Sequence, residues 1–347
     1  MKNKSSPNNQ SQPYPKISFV VFGIALFAVL ISLVPIVFPA LISDSVTSNS
    51  FEKMGFTTQK IDTYETGPLA GLLIFSNAII FGLYFFRKKI PKISKIPSVE
   101  IPKKITIAIV FVVIVGYGSI TFSEVYTDEI YQDWILVEKR VTSWDLSQVF
   151  SLELHLRYFL LQQSMILFGS YKIIPLFSSM ALLAVTYLFT TSLTKSRFAG
   201  LVSMGILLQS HIFLTFDTSS TYTNFWILFY LLSLYAVVKF WFANPVLYFA
   251  SLFSKTLTAL FSPMSIFFIL NSDIPKKHKI IISGIIVGML IVGGSVLSVS
   301  EVANEKFMWN EFWIGFTSFA FQMRFDFIII LFLLPLIFGL FIVSKNN

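Results

Sequence analysis

Two stretches of this sequence hold ionisable side chains at places where interfacial chemistry could use them. Tyr126-Thr-Asp-Glu-Ile-Tyr-Gln-Asp-Trp134 follows an apolar run and sets Asp128 and Glu129 among Tyr126, Tyr131 and Trp134. Tyr and Trp settle at headgroup level, and a carboxylate held at that depth is partly desolvated. Its basicity then rises toward that of a general base. The same loop also reads as a solvated acidic segment that does no more than satisfy a charge bias. Farther on, Lys255 interrupts an apolar stretch over residues 245–270. A lysine there is costly unless it is paired, faces a cavity or snorkels to an interface. Pairing or a cavity suits phosphate binding, snorkelling is purely structural, and both readings stand on the sequence. His155 and Arg157 lie in a third stretch, residues 152–168, whose apolar run is also broken by Glu153, Gln162 and Gln163. That composition predicts a helix lying at an interface.

The elements that must position these residues are helices in lipid. Apolar residues make up 55% of the chain and charged residues 13%, against about a quarter charged in a soluble domain. One globular core cannot bury so much apolar surface, so lipid must solvate it. The lack of cysteine excludes disulfides, thiolate nucleophiles and thiolate metal sites. With only three histidines (His155, His211 and His278), a His-rich metal centre is not expected.

Apolar runs near the ~20 residues needed to cross a bilayer occur at 17–42, 67–86, 105–122, 173–191, 198–216, 224–241, 280–298 and 327–343. The first follows a polar leader and reads as a retained signal anchor. Residues 245–270 form either one long helix or two short ones meeting at Lys255. Charge decides between them. With 152–168 outside and 245–270 a hairpin, one side receives the leader, 87–104, 194–197, Lys239, 273–279 and the C-terminus. That side holds most of the lysines and arginines, and only Glu100 and Asp273 of the 18 acidic residues. The positive-inside bias makes it the cytoplasm. The expectation is an all-α polytopic protein of the cell membrane, with about ten transmembrane helices, both termini inside and an interfacial helix in an outer loop. The net charge of +8 belongs to short basic loops on one face, which argues against nucleic acid as a partner.

The order of features carries a resemblance. The acidic pair Asp128-Glu129 follows an early span, and the helix over 152–168 ends in Phe168-Gly169. A span then leads to the basic turn Thr194-Lys-Ser-Arg197, and the run from His211 ends at Asp217. Leu247-Tyr-Phe-Ala-Ser-Leu-Phe-Ser-Lys-Thr-Leu-Thr-Ala-Leu-Phe-Ser-Pro263 closes the series with a lysine-bearing turn and a proline. Together these resemble the GT-C superfamily of integral membrane glycosyltransferases, in the branch of protein O-mannosyltransferases and aminoarabinose transferases. The likeness covers roughly residues 121–270. The prolines the family carries near residue 155 are replaced here by His155-Leu-Arg-Tyr158.

The resemblance implies a GT-C-like core over 105–270 with a catalytic outer loop at 123–171. A leader (1–16), an N-terminal hairpin (17–86) and a basic linker (87–104) precede it; a C-terminal pair of spans (271–347) with an outer loop at 299–326 follows. It implies that Asp128, accompanied by Glu129, activates or positions the acceptor, and that Asp217 assists. In some branches Asp217 would meet a divalent cation, so a metal stays open. Lys255 would approach the phosphate of a lipid-linked donor, with Arg157 and His155 nearby. The implied activity is transfer of a sugar from a polyprenyl-phosphate donor to a protein, lipid or glycan acceptor at the extracytoplasmic face. Such transfer needs a base for the acceptor and a cation for the leaving phosphate at the same depth. The alternatives are a non-catalytic polytopic protein, as a degenerate relative or a complex subunit, and a transporter. The transporter loses ground because mid-span ionisable residues are scarce.

Overall fold

A computed structural model of the chain describes residues 101–129, 133–145 and 155–299, with four isolated positions at Val20, Gly23, Phe75 and Ala78. The chain divides into two compact units, one of Met1–Ile93 with Met308–Asn347 and one of Ser94–Phe307. The continuous described segments all belong to the second. Apart from those four positions, the expected leader, N-terminal hairpin, basic linker up to residue 100 and final span lie outside the described residues, as does the outer loop expected over 299–326 beyond Val299.

The described residues are all-helical. Ten α-helices run in order as α1 (Lys103–Thr121), α2 (Trp134–Ser143), α3 (His155–Phe168), α4 (Ile173–Thr194), α5 (Arg197–Leu208), α6 (His211–Thr215), α7 (Phe225–Lys239), α8 (Asn244–Ser254), α9 (Ser262–Leu270) and α10 (Lys276–Val299). Short 3-10 segments at Phe122–Tyr126, Trp241–Ala243 and Thr256–Phe261 join some of them.

The expectation of about ten transmembrane helices is not met. Among the described residues two helices are long and apolar enough to cross a membrane: α1 with its 3-10 extension, Lys103–Tyr126, and α4, Ile173–Thr194. The physical reason is that apolar run length ignores helix caps. The run over 198–216 breaks at Gln209-Ser210, where the Ser210 hydroxyl accepts from the Phe213 N–H and starts a new helix. What remains as α5 is 12 residues, about 18 Å at 1.5 Å per residue. Likewise α7 has 15 residues, about 22 Å, and the 245–270 stretch is split between α8 and α9. Only 17% of the Lys103–Tyr126 window is buried and 39% of the Ile173–Thr194 window, so most of their apolar surface faces outward.

Three clusters of buried side chains hold the bundle. Tyr117, Leu182, Leu183, Met204 and Leu228 lock α1, α4, α5 and α7 together. Val137, Val141, Trp144, Tyr158, Leu161 and Phe225 dock α2 on α3 and the start of α7. Val237, Tyr248, Ile269, Ile282 and Ile286 join α7 through α10. The tight α4–α5 hairpin turns on Lys195, which has φ +57°, and on Ser196, whose hydroxyl caps α5 by accepting from Ala199 N–H. Gly200 lets these two helices touch: a Cβ there would sit 2.1 Å from Thr191 Oγ1.

The bundle has two unlike ends. One carries the start of α1 near Arg197, which donates to the Ile101 carbonyl at 2.9 Å, together with Lys195, Lys239 and the start of α10. The other carries the end of α1, residues 216–224, and Lys255. There α8 stops and the chain runs extended through Lys255 (φ −158°, ψ 116°) into the next 3-10 turn. Of the two arrangements open for 245–270, the structure has the pair of short helices meeting at Lys255.

Candidate functional site

Phe216-Asp-Thr-Ser-Ser-Thr-Tyr-Thr-Asn224 is too rich in side chains that compete for backbone hydrogen bonds to continue a helix. Such a segment ordinarily lies in water. Here it is buried: Asp217 is 2% exposed, and Thr218, Ser219, Ser220, Thr221, Thr223 and Asn224 are buried with it. Buried polar groups need partners, and the acidic segment after α1 supplies them. Glu124 Oε2 accepts from the Thr218 hydroxyl at 3.2 Å. Glu129 clasps the next two residues, accepting from the Ser219 hydroxyl at 3.0 Å and from the Ser220 N–H at 2.8 Å. Asp133 accepts from the Tyr222 hydroxyl at 2.6 Å. From α3, Arg157 Nη2 donates to the carbonyls of Ser220 and Thr221.

Asp217 is the most enclosed carboxylate of the group. Its Oδ2 accepts from the Tyr117 hydroxyl at 2.6 Å, and its own carbonyl accepts from the Ser179 hydroxyl at 2.7 Å. Burial pushes the carboxyl up to about 6; the Tyr117 hydrogen bond opposes that shift and the nearby Glu124 charge adds to it. Four buried polar atoms in this region have no hydrogen-bond partner among the described residues: Asp217 Oδ1, Ser220 Oγ, Thr221 Oγ1 and Arg157 Nε. Unpartnered atoms on facing residues mark where water or a ligand belongs.

The cations are set close by. Burial pulls the Arg157 guanidinium below its ordinary value, while Tyr158, Tyr222 and Glu129 hold it up. Lys255 Nζ lies 5.5 Å from the Trp226 ring centroid and is also pulled down, first by burial and then by repulsion from Arg157. It therefore rests on an aromatic face near a second cation, which is not how a snorkelling lysine reaches water.

Of the residues singled out in the sequence, Glu129, Arg157, Asp217 and Lys255 gather at this end of the bundle. Asp128 does not enter the buried cluster. It is exposed, and its carbonyl, not its carboxylate, is engaged, by Lys172 Nζ at 3.3 Å. His155 is buried on the α2 side, where its Nδ1 accepts from Trp144 Nε1 at 3.0 Å. That contact fastens α2 to α3 and takes up one of the two ring nitrogens. Among the described residues no three His, Asp or Glu side chains come together as a metal site. Sequence reasoning missed Tyr117, Glu124, Ser179 and the Ser219-Ser220 pair. Tyr117 lies inside an apolar run, and Ser219 and Ser220 fall in the short gap between two apolar runs. A signal was present, since residues 217–224 are polar at every position yet lie between two apolar helices.

Comparison with known proteins assigns no relative: no family model, no curated protein and no solved structure matches the chain.

Proposed function

We propose that this chain is a membrane-embedded glycosyltransferase that moves a sugar from a polyprenyl-phosphate donor to an acceptor hydroxyl or amine. The end bearing residues 216–224 would face out of the cell and the lysine-rich end the cytoplasm, as the charge bias favours. The observation that carries the reading is the pairing of opposite needs at one end of the fold. Asp217, poised near neutrality with Oδ1 unpartnered, stands on a segment gripped by Arg157, and Arg157 and Lys255 are two neighbouring cations. An anion between two mutually repelling cations removes the cost of holding them together.

In the proposed step the acceptor heteroatom attacks the anomeric carbon as the bond from that carbon to the phosphate oxygen breaks. The proton of the acceptor passes to Asp217 Oδ1, directly or through one bound water. The freed polyprenyl phosphate keeps the bonding electrons, and Arg157 and Lys255 offset its charge. Attack from the face opposite the phosphate inverts the anomeric centre. Glu129 keeps the Asp217 segment in place, and the exposed Asp128 is a second carboxylate within reach of an incoming acceptor.

The test is turnover of a radiolabelled polyprenyl-phosphate sugar by purified protein in detergent, with the freed lipid phosphate quantified. Asp217→Asn should lower kcat by about a hundredfold or more, in keeping with loss of a general base. Lys255→Met should mainly weaken donor binding. No turnover by the parent chain with any sugar-lipid donor, or equal turnover by both variants, would sink the proposal.

A further inference from the structure

Far from the buried acidic segment, the opposite end of the bundle holds a cleft of about 440 Å³ between the ends of α4, α7 and α9. That volume falls within the range of small-ligand pockets, ~300–1,000 Å³. The cleft is two-faced. Its rim carries Lys195, Lys239 and Asp273, and its wall carries Val237, Trp241 and Phe268. Trp241 is held there against the His278 ring, with centroids 4.2 Å apart and the rings tilted by 36°. Lys195, Lys239 and Asp273 sit on one rim, yet none of their charged groups pairs with another described residue.

The fold itself does not call for a lysine at one of these positions. Lys195 closes α4 in the left-handed conformation, φ +57°, where glycine or asparagine is the usual residue. A lysine at that point accepts a backbone penalty and places an ammonium at the mouth of an apolar slot. Two ammonium groups that are unpaired among the described residues, set over an apolar wall, suit a phosphodiester carried on the same glycerol as acyl chains. Basic pockets between membrane helices on the cytoplasmic side bind such headgroups.

We propose that this cleft is a binding site for one anionic glycerophospholipid. The phosphate sits between Lys195 and Lys239, the headgroup hydroxyls donate to Asp273, and the first methylenes of an acyl chain lie against Trp241 and Phe268. The site is independent of the transfer reaction: Lys239 closes α7, whose first residue Phe225 adjoins the acidic cluster, so 15 residues or roughly 20 Å of helix separate the two.

The full-length chain is purified in micelles containing equal amounts of phosphatidylglycerol and phosphatidylcholine with matched acyl chains, and retained lipid is measured by native mass spectrometry. Retention of one phosphatidylglycerol in preference to phosphatidylcholine is expected. Each rim lysine should contribute about fivefold to apparent affinity, so the double variant Lys195→Gly with Lys239→Ala should bind roughly twenty-fivefold more weakly. Lys195→Gly alone relaxes the left-handed backbone, so it should lose lipid while melting no lower than the parent. That combination separates lost binding from lost folding. Lys276→Ala with Lys277→Ala, which removes exposed charge outside the cleft, should leave retention unchanged. Three results would overturn the proposal: equal retention of the two lipids, equal losses from the cleft and control variants, or full displacement of the lipid by 10 mM inorganic phosphate, which would mark the ligand as a free anion.

Discussion

Replacing Glu129 with alanine should release residues 216–224 from the bundle while leaving the rest of the fold in place. Glu129 accepts two hydrogen bonds, from the Ser219 hydroxyl at 3.0 Å and the Ser220 N–H at 2.8 Å. A hydrogen bond to a charged group contributes about 1.5–3 kcal/mol. Glu129 is half-buried, so the lower figure applies to each, giving a loss of about 3 kcal/mol in the free energy that holds the segment closed. Two further effects act in the same direction: the Ser220 N–H loses its acceptor, and Arg157 loses the carboxylate that helps keep it charged. At 1.4 kcal/mol per factor of ten, the segment should open on the order of a hundred times more often. Hydrogen–deuterium exchange read by mass spectrometry on peptides covering 216–224 reports this opening directly. Glu129→Gln is the internal control. Its amide oxygen can still accept from Ser220 N–H, and its NH2 can donate to the Ser219 oxygen, so only the charge is lost and exchange should rise about tenfold. Exchange that changes by less than threefold in Glu129→Ala would refute the idea that Glu129 holds this segment.

Further outcomes follow from other contacts in the fold. Burial raises the Asp217 carboxyl to about 6, so the native state keeps a proton that the unfolded chain gives up near 4, and the parent protein should lose stability as pH rises from about 4 to 6. Asp217→Asn does not titrate; its melting temperature relative to the parent should therefore climb across that window and level off above it, and a flat difference would contradict the assignment. Gly200→Ala should cost about 1–3 kcal/mol by forcing a Cβ to within 2.1 Å of Thr191 Oγ1. Gly205→Ala, with nothing within 4 Å of its Cβ, should be neutral or slightly stabilising in thermal melts. Trp144→Phe removes the donor to His155 Nδ1 and should destabilise the α2–α3 contact by about 1–3 kcal/mol, read as earlier proteolysis within α2.

The sequence made some of this molecule legible and concealed the rest for identifiable reasons. Lys255 flanked by Ser254 and Thr256 reported a chain reversal, because a charge in the middle of an apolar run is costly in any continuous span. The runs beginning at Ile105 and Ile173 coincide with the two helices that, among the described residues, are long and apolar enough to cross a bilayer, and neither contains an internal cap. Runs that do contain one were misread as spans: Ser210 looks apolar-tolerant in a hydropathy window but acts as a helix start. The acidic segment was legible in the sequence, but which of its carboxylates turn inward was not. Glu124, Glu129 and Asp133 reach across to residues 216–224, and Asp128 faces outward. Which carboxylate turns inward depends on the 3-10 turn at Phe122–Tyr126 and on Lys172 gripping the carbonyls that follow it. Neither feature has a sequence signature.

The central claim is that Asp217 accepts a proton during sugar transfer beside Arg157 and Lys255, and its most direct test is the pH dependence of transfer. Initial rates with a labelled polyprenyl-phosphate sugar, measured from pH 5 to 8 for the parent and Asp217→Asn, should show kcat/KM rising with pH to a plateau above an apparent pKa near 6 in the parent. The variant should be slow at every pH, with that limb gone. An identical profile in the variant, or the absence of any transfer by the parent, would contradict the account.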